Sequence, residues 1–181
     1  MPREELLFKL VAALRRRGYD ATTMADLAAA SGLDKASLYH HFPGGKADIA
    51  RAAMLAVVEG FQRGAVKAER AGTPPAERLE RQFSLLRAYF GDPSQVCLMA
   101  SLAASDRDEQ TAEDLRAVFE GWIGALASTL RAAGIARGEA RRRAEEAVAL
   151  IEGALIVARG TGNPAVLNRV LRDLPTRLLR T

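Results

Sequence analysis

Apolar positions recur every three or four residues along most of this chain, and glycine- and proline-rich breaks divide the pattern into helical segments. Leu6, Leu7, Leu10, Val11 and Leu14 form one stripe and predict a helix over residues 3–17, ended by Gly18-Tyr19-Asp20. Two short helices are predicted over 23–30 and 34–41, and after Pro43-Gly44-Gly45 a long one over 46–70. Gly72-Thr73-Pro74-Pro75 stops that helix, and a further one over 75–90 ends at Gly91-Asp92-Pro93. The second half predicts a short apolar helix over 94–105, an acidic loop over 106–109, and long helices over 111–133 and 139–159. A last helix follows Pro164 and is expected to break near Pro175. No segment alternates with the two-residue period and β-branched content of a strand, so no sheet is expected.

The grouping carries more information than the count. Three short helices fall in the first 45 residues and longer ones follow, which predicts an all-α chain with a small N-terminal domain (1–45) on a helical body (46–181). Composition agrees: of 181 residues 35 are alanine, the best helix former, and only 6% are aromatic. The formal charge of +4 suggests an anionic partner, but it is spread along the chain. Basic residues outnumber acidic ones by seven to six over 1–50, seven to five over 51–100 and twelve to eleven over 101–181, so charge alone assigns no partner. Arg15-Arg16-Arg17 reads as the solvated end of a helix, and Arg141-Arg142-Arg143, answered by Glu145 and Glu146, as a solvated face.

Cys97 is the only cysteine, which excludes an intrachain disulfide and fits a reducing compartment. No stretch reaches the roughly 20 apolar residues of a membrane span, and the charged start is unlike a signal peptide, so a cytoplasmic protein is expected. No nucleophile–base constellation is visible outside residues 34–41, and no catalytic or cofactor role is expected. His40 and His41 are the only histidines. Being adjacent on a helix, they point about 100° apart and suit DNA contact better than a shared metal.

The richest stretch is 22–42. Thr23 and Asp26 have the spacing of a capping box, Gly32 sits where a left-handed residue would end a helix, and Asp34 stands at the cap of the next. Two short helices joined by a glycine turn need a small residue where they cross, supplied by Ala28, and apolar inner positions, supplied by Leu27, Leu33 and Leu38. The second helix would then expose Lys35, Ala36, Ser37, Tyr39 and His40, small and hydrogen-bonding groups able to enter a DNA major groove.

Gly18-Tyr19, Thr22-Thr23, Ala28-Ala29-Ala30-Ser31-Gly32 and the run Ser37-Leu38-Tyr39-His40-His41-Phe42-Pro43 resemble the N-terminal domain of TetR-family transcriptional regulators over about residues 4–55. The resemblance implies a homodimeric, ligand-controlled repressor with a helix-turn-helix head and a C-terminal ligand-binding and dimerisation domain. It assigns base-facing roles to Lys35, Ala36, Ser37 and His40 and phosphate-contacting roles to Thr22, Thr23, Tyr39, His41 and Lys46. Pro43-Gly44-Gly45-Lys46 is one residue longer than the Pro-Ser-Lys of many members. That form, with Cys97-Leu98, Leu102-Ala103 and Glu152-Gly153-Ala154-Leu155, is similar to the LmrA/YxaF-type branch.

Taken by themselves, the body's aromatic residues read as plain core. The resemblance instead implies an apolar pocket, lined by Phe61, Phe83, Leu86, Phe90, Met99, Phe119 and Trp122, for a small apolar or aromatic effector. Ala144, Ala147, Val148, Ile151, Ala154, Leu155 and Ala158 make a broad face on which Gly153 allows close approach, available to the body or to a second copy. The expected partners are a double-stranded DNA operator, an effector and a second copy of the chain, with no membrane. The alternative is a ligand-independent architectural DNA binder, which would keep the head and fill the body.

Overall fold

The computed structural model of the chain describes residues 2–68, 72–92 and 95–180. Among them are nine helices and no strand: α1 (Arg3–Arg17), α2 (Met24–Ser31), α3 (Lys35–His41), α4 (Lys46–Ala68), α5 (Pro75–Tyr89), α6 (Leu98–Ala103), α7 (Glu109–Ala132), α8 (Arg137–Thr161) and α9 (Ala165–Leu179). The ends of α1 carry the charges its dipole favours, Glu4 and Glu5 in the first turn and Arg15 to Arg17 in the last.

Two compact units result. One comprises Met1–Gly60 with Ser94–Arg116, and the other Phe61–Pro93 with Ala117–Thr181. In the first, Leu6, Leu10 and Leu14 of α1, Leu27 of α2, Leu38 of α3, Ile49 and Met54 of α4 and Leu98 and Leu102 of α6 are buried. In the second, α9 packs along α8 and α5. Its Leu167, Leu171, Leu174 and Leu178 are buried, as are Ala144, Ala147, Val148, Ile151, Ala154, Leu155 and Ala158 of α8. The broad small-residue face of α8 is therefore used up within the chain, while Gly153 lies on the exposed side.

Three elements depart from the periodicity reading. The helix expected over 94–105 shrinks to α6, because the Val96 amide donates to the Arg15 carbonyl (2.8 Å) and the Val96 carbonyl accepts from Arg15 Nε (3.3 Å). Arg15 is accordingly buried rather than solvated. Glu109 belongs to α7 rather than to a loop, since the Asp108 carboxylate takes the Thr111 amide at 2.7 Å and so caps the helix two residues earlier.

The third departure is α9, which runs through Pro175 instead of breaking there. A proline lacks the N–H that would bond the carbonyl four residues back, here that of Leu171. Arg87 Nη1 of α5 donates to that carbonyl at 3.2 Å, so the helix continues with its acceptor satisfied. The arginine run on α8 is only partly a solvated face: Arg141 pairs with Glu120 of α7 and with Glu145, and Arg142 with Glu139 and Glu146, but Arg143 donates to the Leu178 and Arg180 carbonyls at the end of α9.

The Pro175 arrangement predicts non-additivity. Arg87→Met should lower stability by about 1–2 kcal/mol, by orphaning a helix carbonyl. In a Pro175→Ala background the restored amide serves that carbonyl, and denaturant titration of the four proteins should show the loss shrink by at least half. Equal losses in both backgrounds would contradict the pairing.

Candidate nucleic-acid interface

The helix-turn-helix is built by local hydrogen bonds that its sequence encodes. Thr23 caps α2: its hydroxyl oxygen accepts from the Asp26 amide at 3.2 Å, while Asp26 accepts from the Thr23 amide at 2.8 Å and from its hydroxyl at 2.7 Å. Gly32 ends α2 at φ 75°, a conformation costly for any side chain although the space around it is open. The buried Ser31 hydroxyl donates to the Ala28 carbonyl at 3.0 Å and accepts from the Leu33 amide at 3.3 Å. Asp34 caps α3 by accepting from the Ser37 amide at 2.6 Å. Leu27 and Leu38 are fully buried between the helices and Leu33 is half-buried.

These contacts hold the carboxylates of Asp26 and Asp34 below their ordinary range. For Asp26 the main cause is the Thr23 hydroxyl, followed by the Thr23 amide and the Arg17 guanidinium; for Asp34 it is the Ser37 amide, then the Ser37 hydroxyl.

With α3 anchored through Leu38, its other side faces solvent. Lys35, Ala36, Tyr39, His40 and His41 are exposed and Ser37 is half-buried. The His40 and His41 rings are 5.9 Å apart at their centroids, and the His41 and Phe42 rings 6.4 Å. No group of three or more His, Cys, Asp or Glu side chains placed to hold a metal occurs among the described residues. Phe42, buried at the end of α3, lies beneath the Arg3 guanidinium at 5.6 Å.

Three of the remaining candidate residues sit differently. Thr23 is exposed, with its hydroxyl engaged in the cap. Thr22 is only 1% exposed and its hydroxyl donates to the Gly18 carbonyl at 2.6 Å, so its side chain shapes the turn and does not face a phosphate. Lys46 Nζ donates to the Tyr19 carbonyl at 3.1 Å and lies 4.3 Å from the centre of the Tyr19 ring, which turns one of its three N–H groups inward. The first turn of α4 also holds its own carboxylate, since Asp48 accepts the Gly44 amide at 2.6 Å, so that helix start is no vacant anion site.

Around Tyr19 lies a polar junction that residue spacing does not reveal. The Tyr19 amide donates to Ser101 Oγ at 2.7 Å, and the Ser105 hydroxyl lies 2.9 Å from an Asp20 carboxylate oxygen. Burial, then the nearby charges of Asp108, Asp20 and Asp106, push the Tyr19 phenol above its usual range. Ser101 and Ser105 are about 80 residues from their partners, and no helical periodicity marks them.

The candidate pocket residues divide between the units. Met99 is buried on α6 in the first. In the second, Phe83, Leu86 and Phe90 of α5 are buried, Phe61 of α4 packs edge-on against Tyr89 at 5.4 Å, and Tyr89 against Phe90 at 4.9 Å. Phe119 and Trp122 of α7 are half-buried and stacked, with centroids 6.5 Å apart. Gln82 Nε2 donates to the Thr129 hydroxyl oxygen at 3.2 Å, and Gln82 Oε1 is buried with no hydrogen-bond partner among the described residues.

A capped pair of short helices whose second member presents Lys, Ser, Tyr and His to solvent defines a helix-turn-helix DNA-binding protein. Comparison with known sequences places it further. Residues 10–57 match the family model of bacterial regulatory proteins of the tetR family, and residues 75–173 that of the LmrA/YxaF-like transcriptional regulator C-terminal domain. The chain belongs to the TetR family of transcriptional regulators, which bind DNA and are not enzymes, and to its LmrA/YxaF-like group.

It is 26% identical to the HTH-type transcriptional regulator LmrA of Bacillus subtilis over 98% of this chain and 97% of that one. It is 29% identical to the uncharacterized HTH-type regulator Rv0196 of Mycobacterium tuberculosis over 98% and 94%. Among solved structures, a TetR regulator from Legionella pneumophila superposes with a TM-score of 0.86 at 21% identity, covering 98% of this chain and 97% of that one. A TetR-family regulator from Agrobacterium tumefaciens gives 0.81 at 26%, covering 96% and 95%. No helix among the described residues is long and apolar enough to cross a membrane.

The caps set a pH dependence. A carboxylate whose pKa is lower folded than unfolded contributes stability above its unfolded value and loses it as pH falls through the folded one. Denaturant midpoints should therefore drop as pH falls below the ordinary carboxylate range, about 4. Asp34→Asn, which can still accept the Ser37 amide but does not titrate, should flatten part of that drop. Parallel curves for the two proteins would contradict the assignment.

Proposed function

We propose that this chain is a cytoplasmic, ligand-responsive repressor. In this reading residues 1–45 form the DNA-binding head and residues 46–181 the ligand-binding and dimerisation part. The observation that carries it is the solvent face of α3, anchored by Leu38 and the Asp34 cap and made of small, donor-rich side chains. Lys35, Ala36, Ser37 and His40 face base edges in the major groove; Thr23, Tyr39 and His41 face phosphates, and Lys46 reaches them with its outward N–H groups. Phosphate contacts supply most of the affinity and the base-facing set the specificity.

Two copies pair through α8. Its buried face is spent inside the chain, but Ala149, Leu150, Gly153, Ile156, Val157 and Gly160 recur at helical spacing on the exposed side, with Ile156 68% exposed. A continuous apolar stripe with two glycines suits the close, self-complementary contact of a two-fold dimer. The heads then meet a near-palindromic operator with half-sites about 34–36 Å apart or a multiple of that.

The effector is a small apolar or aromatic molecule held by Phe61, Phe83, Leu86, Phe90, Phe119 and Trp122. Gln82 Oε1 is the acceptor offered to a hydroxyl or N–H group of that molecule. A coupling of about 1–3 kcal/mol between effector and DNA would weaken operator binding roughly 5- to 150-fold.

Gel-shift with DNA from upstream of its own gene should show a complex that a saturating effector dissolves. Lys35→Ala should weaken it by about 1–3 kcal/mol and relax the base preference at one position in each half-site. No complex at moderate salt would defeat the repressor reading. Light scattering should give twice the 19.5 kDa chain mass for the wild type and the single mass for Ile156→Glu. A monomeric wild type at micromolar concentration would defeat the α8 dimer.

A further inference from the structure

The N-terminal family match ends at residue 57 and the C-terminal one spans 75–173, so family boundaries assign α6 to the body. Its packing assigns it to the head, because Ser94–Arg116 forms one compact unit with Met1–Gly60. The meeting point is the turn from Gly18 to Thr23 that joins α1 to α2.

α6 takes up the polar groups of that turn. Ser101 Oγ accepts the Tyr19 amide at 2.7 Å. The single Ser105 hydroxyl hydrogen is shared between an Asp20 carboxylate oxygen at 2.9 Å and the Ser101 carbonyl at 2.7 Å. The fit is close: Gly18 has φ 82°, and a Cβ there would lie 2.9 Å from Ser101 Oγ. On the approach to α6, Val96 makes both of its backbone bonds to Arg15 at the end of α1.

From this anchored turn the connection to α3 is short and stiff. The Tyr19 carbonyl receives Lys46 Nζ and the Thr22 amide, the Thr22 hydroxyl reaches back to Gly18, and Thr23 caps α2. Gly32 and Asp34 then set α3. Displacing the Tyr19 amide from Ser101 would leave a partly buried donor unpaired and free the turn to adopt other directions.

We propose that Ser101 and Ser105 of α6 are positioning residues for operator binding. They hold the Gly18–Thr23 turn and thereby the direction in which α2 and α3 leave α1. The head of residues 1–45 is thus braced by α6, a helix from the later part of the chain. This rests on the reading of α3 as the DNA-contacting helix.

The test uses the full-length chain and a duplex that the wild type selects from a random library. Ser101→Ala should weaken binding to that duplex roughly tenfold while binding to an unselected duplex changes less than about twofold, so the specificity ratio falls. Its thermal midpoint should stay within a few degrees of the wild type. Ser101→Thr, which keeps the hydroxyl, should restore the ratio.

A wild-type ratio in Ser101→Ala, or a loss no larger than its unfolded fraction, overturns the proposal. If that variant does not fold, Ser105→Ala carries the test, because its partner Asp20 is exposed; a lowered ratio supports the proposal and a wild-type ratio overturns it. A wild type that selects no duplex overturns the DNA-contact reading, and the proposal with it. Selection by the wild type with unchanged variants overturns the positioning role alone.

Discussion

The head depends on the hydrogen bond from the Tyr19 amide to Ser101 Oγ, because the turn it secures decides where everything downstream points. The helix-turn-helix is tied internally by the Thr23 and Asp34 caps and by buried Leu27 and Leu38, so its two helices are fixed against each other. A rigid piece needs its orientation set at the entry, and here the entry has no slack. Gly18 is pressed against Ser101, Thr22 is buried beneath the turn, and Lys46 closes over Tyr19.

What was legible in the sequence was local. Thr23, Asp26, Gly32 and Asp34 act on neighbours three or four residues away, and spacing alone located the two short helices and the side of α3 that stays in water. Positions whose partners are distant carry no such mark in the spacing. Arg15 resembles any cation at a helix end until Val96 folds back on it, and Thr22 resembles any exposed turn hydroxyl until the chain closes over it. Pro175 should end a helix by the usual rule. It does not, because an arginine from α5 satisfies the carbonyl it abandons. Ser101 and Ser105 are ordinary residues of a small helix, and only the fold shows what they hold.

The two faces of α8 show the same division. Periodicity identified a small-residue face without saying what it meets. The folded chain spends that face on its own interior and leaves a second stripe, from Ala149 to Gly160, to solvent. Alanine-rich composition serves the first by letting helices approach closely, and branched residues on the second leave apolar area exposed. One helix thus buries one face within its own unit and leaves an apolar stripe of the other face exposed.

In the proposed complex α3 enters the major groove twice per dimer, on one face of the duplex. Methylation interference on the selected duplex tests it directly, since guanine N7 is exposed in that groove. Interference is expected at guanines in two successive major grooves, with centres about 10 base pairs apart or a multiple of that. Interference confined to adenine N3 in the minor groove, or spread evenly along the duplex, would contradict it.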